Sequence, residues 1–154
     1  MRPNLIQAPT GADSCTFFAI YDDISSGKRA KETCDYIRGK FGPECNVHGD
    51  FWKLDVLREP TLMHLAAPLA READIIIFST NIDKNLPLEI KTWLEDCLSN
   101  ETDRLRVLMS VSCRLSSASP NPLLIETHLQ EIAARKNVEF LSRVIETEMG
   151  RAAF

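Results

Sequence analysis

The sequence predicts a three-layer α/β sandwich in which a five-stranded parallel sheet, ordered 2-1-3-4-5, carries helices on both faces. Three observations lead there. Short runs of β-branched and aromatic residues alternate with stretches whose apolar residues recur at helical spacing, the pattern of repeated right-handed crossovers. The run Ile75-Ile76-Ile77-Phe78 has no polar face to turn toward water, which marks a central strand covered on both sides. The second strand segment is the most polar of the set, which suits a sheet edge. A chain of 154 residues with 44% hydrophobic content holds one full core and is too short for two.

In chain order, residues 1–13 carry Pro3, Pro9 and Gly11 with few apolar side chains and read as a flexible N-terminal arm, leaving 14–154 as a single α/β domain. Thr16 to Tyr21 forms the first strand, stopped by Asp22-Asp23. Ser25 and Ser26 are N-cap residues for a helix whose stripe is Ala30, Cys34, Ile37 and Phe41, with Lys28, Arg29, Lys31, Glu32 and Arg38 on its wet side; Gly42-Pro43 ends it. Residues 45–54 are the second strand, with Val47 and Phe51 on one face and His48, Asp50 and Trp52 on the other. From Pro60 to Ala73 the spacing of Leu62, Leu65, Ala66 and Leu69 predicts a helix resting on those residues, kinked or broken at Pro68. A helix over 86–99 turns Ile90, Trp93, Leu94 and Cys97 inward.

Residues 104–111 form a fourth strand, and the serine- and proline-rich 112–122 the longest loop. Asn121-Pro122 opens a helix to about residue 137 with Ile125, Leu129, Ile132 and Ala133 inward. Val138 to Ser142 is a short fifth strand, and the final dozen residues are expected to add a helical turn or two.

Composition narrows the function classes. A net charge of −4 without a basic cluster speaks against a nucleic-acid footprint. No segment reaches the roughly 20 apolar residues of a membrane span, and the N-terminus has no apolar core of signal-peptide length, so a cytoplasmic location is expected. Five cysteines without a C-x-x-C pair fit neither a disulfide framework nor a zinc knuckle. His48, His64 and His128 fall on three elements without ligand spacing. Trp52 and Trp93 read as packing anchors.

In parallel α/β sheets the site lies beyond the carboxyl ends of the strands. The strand order brings loops 22–27, 79–86 and 112–122 to one edge. Their candidate ligand-binding residues are Asp22, Asp23, Ser25, Ser26, Gly27, Lys28, Ser79, Thr80, Asn81 and Ser112. Asp22 and Asp23 could hold a divalent cation through hard oxygens. Ser25-Ser26-Gly27-Lys28 could cradle a phosphate at a helix N-terminus. The same residues also read as turn and capping chemistry, with Lys28 and Arg29 a solvated face. Ser79 or Cys113 as nucleophile of a transferase or hydrolase is a third reading.

The stretch 73–95, with its isoleucine-rich strand, Ser79-Thr80, Leu86-Pro87, Ile90-Lys91 and Leu94-Glu95, resembles two families of flavodoxin-like architecture. One is the NADPH-dependent FMN reductases, which implies FMN with its phosphate on 24–28 and its ring against 79–86 and 112–122. The signature Pro-Glu-Tyr-Asn of that family is replaced here by Thr80-Asn81-Ile82-Asp83. The other is the response-regulator receiver domain, which implies Mg²⁺ on Asp22-Asp23, a strand-four hydroxyl at Ser110 or Ser112, and Arg143 for the usual lysine. Ser79 stands at the phosphoacceptor aspartate. A serine without a general base cannot serve as that acyl-phosphate nucleophile. The expected function is therefore a receiver-like regulatory or protein-interaction module without catalysis, with a protein partner, a small-molecule ligand or a homodimer as its associations; the alternative is a small FMN-binding oxidoreductase.

Overall fold

The computed structural model describes residues 14–41, 46–80, 86–99, 106–115 and 124–147. Five strands, β1 (Ser14–Tyr21), β2 (Asn46–Lys53), β3 (Ile75–Thr80), β4 (Val107–Leu115) and β5 (Glu139–Thr147), pair in parallel in the order β2-β1-β3-β4-β5. Five helices are α1 (Ile24–Phe41), α2 (Leu54–Leu57), α3 (Pro60–Glu72), α4 (Leu88–Leu98) and α5 (Leu124–Lys136). This is the predicted flavodoxin-like three-layer sandwich. No described helix is long and apolar enough to cross a membrane. The arm 1–13 and the final residues 148–154 lie outside the described residues.

The pleat divides the core in two. Phe18, Ile20, Ile76, Phe78 and Leu108 face α2 to α5, where Leu57, Ile90, Leu94, Ile125 and Leu129 meet them. Phe17, Ala19, Ile75, Ile77, Met109 and Val111 face Ala30, Cys34 and Ile37 of α1. β3 is buried at all its positions, as its unbroken apolar run requires. Both tryptophans anchor packing: Trp52 stacks on Phe18 with ring centroids 6.1 Å apart, and Trp93 donates its indole N–H to the Met63 carbonyl at 3.0 Å. At the β2 edge Gly49 lies under Phe17, where a Cβ would come within 2.1 Å of the Phe17 carbonyl oxygen. Only glycine lets the two strands pair there.

Four expectations are corrected. α3 rests on Ala66, Ala67 and Ala70 with Met63, whereas Leu65 is 60% and Leu69 41% exposed. Both stripes share the 3-4 spacing, but small residues let the helix sit close to the sheet, so it is rotated by about one position. α3 also runs unbroken through Pro68. The ring and the turn it crowds, at His64, are on the exposed side, where water can satisfy the freed carbonyl.

The other two concern strand ends. Ser112 to Leu115 continue β4 rather than start a loop, and β5 runs to Thr147 instead of Ser142, so residues 143–147 of the expected closing turns are strand. Each extension satisfies the other's backbone, from Ser112↔Val144 to Leu115↔Thr147. Backbone pairing thus overrides the polar side chains. α2 has no counterpart in the sequence reading, being a single four-residue turn. The end of α5 is sharper than propensity alone suggests: Asn137 adopts φ 58°, and Val138 N–H returns to the Ala133 carbonyl at 2.9 Å, a Schellman closure.

The amino ends of the central strands are tied by two polar residues. Asp74 accepts the Thr16 N–H through Oδ2 at 3.0 Å and exchanges backbone bonds with Thr16 and Val107. Arg106, 4% exposed, donates from Nε to Ala73 O (3.1 Å), from Nη1 to Cys97 O (3.0 Å) and from Nη2 to Ala70 O (2.6 Å). One guanidinium thus closes the carboxyl ends of α3 and α4, where the helix dipoles favour a cation. Arg106→Met should destabilise the fold by about 3 kcal/mol, since it strands buried carbonyls as well as losing charged hydrogen bonds. Chemical denaturation checks this; a loss below 1 kcal/mol would show that water replaces the guanidinium.

Candidate functional site

The carboxyl edge of the sheet is built around the start of α1. Asp23 is the residue before the helix, and its Oδ1 accepts the Ser26 N–H at 3.0 Å. Ser26 answers: its Oγ accepts the N–H groups of Asp22 (2.8 Å) and Asp23 (2.9 Å) and donates to Asp23 O at 3.1 Å. This is a reciprocal capping box in which an Asp at the cap and a Ser three residues on exchange hydrogen bonds. The cap is therefore Asp23, not Ser25 or Ser26. The reason is that a two-acid strand end followed by Ile-Ser-Ser offers two registers, and only the earlier one places a hydroxyl at the third helical position.

Ser79, at the carboxyl end of β3, is fully buried and donates its hydroxyl to the Ser26 carbonyl at 2.7 Å. That bond crosses from the sheet to the first turn of α1. Gly27 completes the junction, its N–H donating to Asp23 O at 2.8 Å while the Tyr21 ring lies where a Cβ would be 3.1 Å from Cδ2. Asp22, Asp23, Ser26, Gly27 and Ser79 are thus one hydrogen-bonded cluster.

The other predicted residues go elsewhere. Ser25 is exposed and accepts from Arg29 Nη1 at 3.0 Å; Lys28 is exposed. Thr80 and Ser112 are opposite one another in β3 and β4, both buried, on the face that carries α4 and α5. Ser112 Oγ has no hydrogen-bond partner. Arg143 leaves the edge altogether, donating from Nη1 to Thr33 Oγ1 at 3.2 Å with its guanidinium carbon 5.5 Å from the Tyr36 ring centroid. Asn81 lies outside the described residues. The side chain of Cys113, the thiol of the third reading, lies outside them too.

The donor set at this edge fits neither implied group well. A phosphate would need the Ser26 amide and hydroxyl, which are spent inside the cap, and would sit beside the Asp23 carboxylate. A divalent cation would have the two acids, but Ser79 points its hydroxyl away to a carbonyl, and among the described residues no three metal-ligating side chains come together. Ser79 is no nucleophile in this geometry either, because its proton is held by a carbonyl rather than a base.

The described cysteines are buried. Burial pushes the Cys34 thiol up to about 12 and the Cys97 thiol up to about 11 from the usual 9.0, so both stay neutral and unreactive. Neither a matching family model nor a matching curated protein was found for the chain.

Residues that the sequence reading overlooked are Thr33, Tyr36 and Arg106. Each was readable only as a surface or strand-flanking residue. What gives them roles is a partner distant in sequence, for example the 110 residues between Thr33 and Arg143.

Two outcomes follow, one for this edge and one for the buried thiols. Ser26→Ala should cost about 1–2 kcal/mol and Ser79→Ala about 1 kcal/mol by denaturant titration, with less than the sum in the double variant because both act on one helix turn. For the thiols, the folded pKa lies above the unfolded one. Their contribution is therefore complete below pH 9 and lost as pH rises toward 11 and 12. Replacing Cys34 and Cys97 by alanine should flatten the fall of the melting temperature between pH 9 and 11 relative to the native chain. An unchanged slope would show that other groups drive the alkaline transition.

Proposed function

We propose that the chain is a receiver-like interaction module that binds a protein partner at the carboxyl edge of its sheet and performs no phosphoryl transfer there. The observation that carries this reading is the Ser79 hydroxyl, buried and engaged by the Ser26 carbonyl at the position that a phosphoacceptor carboxylate would occupy. A hydrogen bond between strand tip and helix start does the job of a fixed strut. The Asp23 carboxylate then serves the helix cap rather than a reaction, and Asp22 joins the cap through its backbone N–H.

Exposed apolar residues support the interaction part. Ile24, at the start of α1, is 78% exposed and Leu88, at the start of α4, is 73% exposed. These two helices lie on opposite faces and both begin at the carboxyl edge, so the residues flank the tip of β3. Large apolar side chains beside polar neighbours at such a place are a contact surface for another protein.

The test has three arms. Incubation with acetyl phosphate and Mg²⁺ should give no stoichiometric label, and FMN should add neither visible absorbance nor a rise in melting temperature. Ser79→Asp should lose about 2 kcal/mol or more, because it turns a carboxylate toward the Ser26 carbonyl instead of a donor. Binders selected against the whole chain from a displayed-protein library should lose affinity for the Ile24→Ser, Leu88→Ser variant. Labelling, a flavin-bound protein, or binders indifferent to both substitutions would each overturn the proposal.

A further inference from the structure

The cations of α1 fall into two groups with different partners. On the flank that faces β2, Lys31 and Arg38 both meet Asp35, at 3.1 and 2.8 Å, and Arg38 also donates to Val47 O at 3.0 Å. The opposite flank is fixed by Arg143 of β5, which bonds Thr33 and covers Tyr36. Arg29 is one turn before Thr33 and Lys40 one turn after Tyr36, so both belong to this β5-facing flank.

Here the cations have only neutral partners. Arg29 Nη1 donates to Ser25 Oγ. Arg143 donates to Thr33 Oγ1, and Lys40 Nζ lies 5.1 Å from the Tyr36 ring centroid that Arg143 also covers. Among the described residues, no carboxylate is paired with any of the three. Glu32 is the nearest acid along the helix, displaced toward solvent by about 60° from Arg29, and Glu139 is four residues before Arg143, about 13 Å along β5.

Arg29 adds a sharper observation. Its Nε and Nη2 are buried and have no hydrogen-bond partner. Those two atoms form one edge of the guanidinium, with parallel N–H bonds at the spacing of two oxygens of a carboxylate or phosphate. Leaving them unpaired is costly for buried charged donors. The Nε–Nη2 edge itself is closed to solvent, but Arg29 as a whole is only half-buried, so a ligand meets that edge once the side chain turns outward on its rotatable bonds.

The geometry points to an oxyanion-binding site on the β5-facing flank of α1, in which the Nε–Nη2 edge of Arg29 takes a carboxylate or phosphate bidentately and Arg143 adds charge one turn further on. The ligand class is a small molecule bearing such a group. The site is separate from the carboxyl-edge cluster and does not rest on the receiver-like reading.

Calorimetry and thermal shift on the whole chain with inorganic phosphate, and separately with citrate, against sodium chloride at matched ionic strength, decide the matter. The two anions distinguish a phosphate from a carboxylate preference. At least one should raise the melting temperature, and Arg29→Met should weaken its binding by about tenfold or more. Arg38→Met, on the carboxylate-matched flank, should bind as the native chain does. Without any anion Arg29→Met should melt no lower than the native protein, since it removes an uncompensated buried charge. No response to either anion beyond the chloride control, or equal weakening by Arg38→Met, would overturn the site. So would a markedly lower melting temperature of Arg29→Met without anion, which would show that the guanidinium is already paired.

Discussion

Burial of β3 on both faces is the constraint from which most of this architecture follows. A strand with no solvent face must have its ends closed by the protein itself, because the chain enters and leaves through layers that exclude water. At the amino end Asp74 and Arg106 supply that closure, binding β1, the start of β4 and the terminal carbonyls of two helices. At the carboxyl end Ser79 does so by reaching the first turn of α1. The polar residues around the strand are there to make its burial affordable. The chemistry that an active site would require has to compete with that demand, and at Ser79 the structural use has the hydroxyl.

The two faces are unlike in what covers them. Among the described helices, four lie over one face and α1 alone over the other. α1 therefore has two long exposed flanks, and they have been balanced differently: Asp35 neutralises the side toward β2, while the side toward β5 collects Arg29, Arg143 and Lys40 against a serine, a threonine and a tyrosine ring. The mildly acidic net charge of the chain gives no hint of this local excess. Charge on a protein surface acts through its arrangement, and a sum over the sequence averages the arrangement away.

Much of the fold was legible because its signals are local. The apolar run at 75–78, the polar second strand and the helical spacings gave the strand order without any knowledge of contacts. What could not be read depends on partners far along the chain. The rotation of α3 onto Ala66, Ala67 and Ala70 reflects how closely the helix approaches the sheet, and spacing alone favoured the larger leucines one position away. The strand character of Ser112 to Leu115 comes from pairing with Val144 to Thr147, a segment that the sequence reading assigned to closing helical turns. At the site, Asp22, Asp23, Ser26, Gly27 and Ser79 were found together because the topology converges there. Arg143 was drawn in by resemblance, and one hydroxyl of α1 was enough to take it elsewhere.

The clamp made by Arg106 has a consequence for the order in which the chain can become native. Its acceptors are contributed by residues 70, 73 and 97, all earlier in the sequence. During synthesis α3 and α4 emerge before the guanidinium that closes their terminal carbonyls. The fourth strand therefore arrives as the keystone of segments already made. Native packing of the first half is conditional on the second, and a ribosome-bound chain halted before that strand would hold its helices only as fraying, exchanging turns.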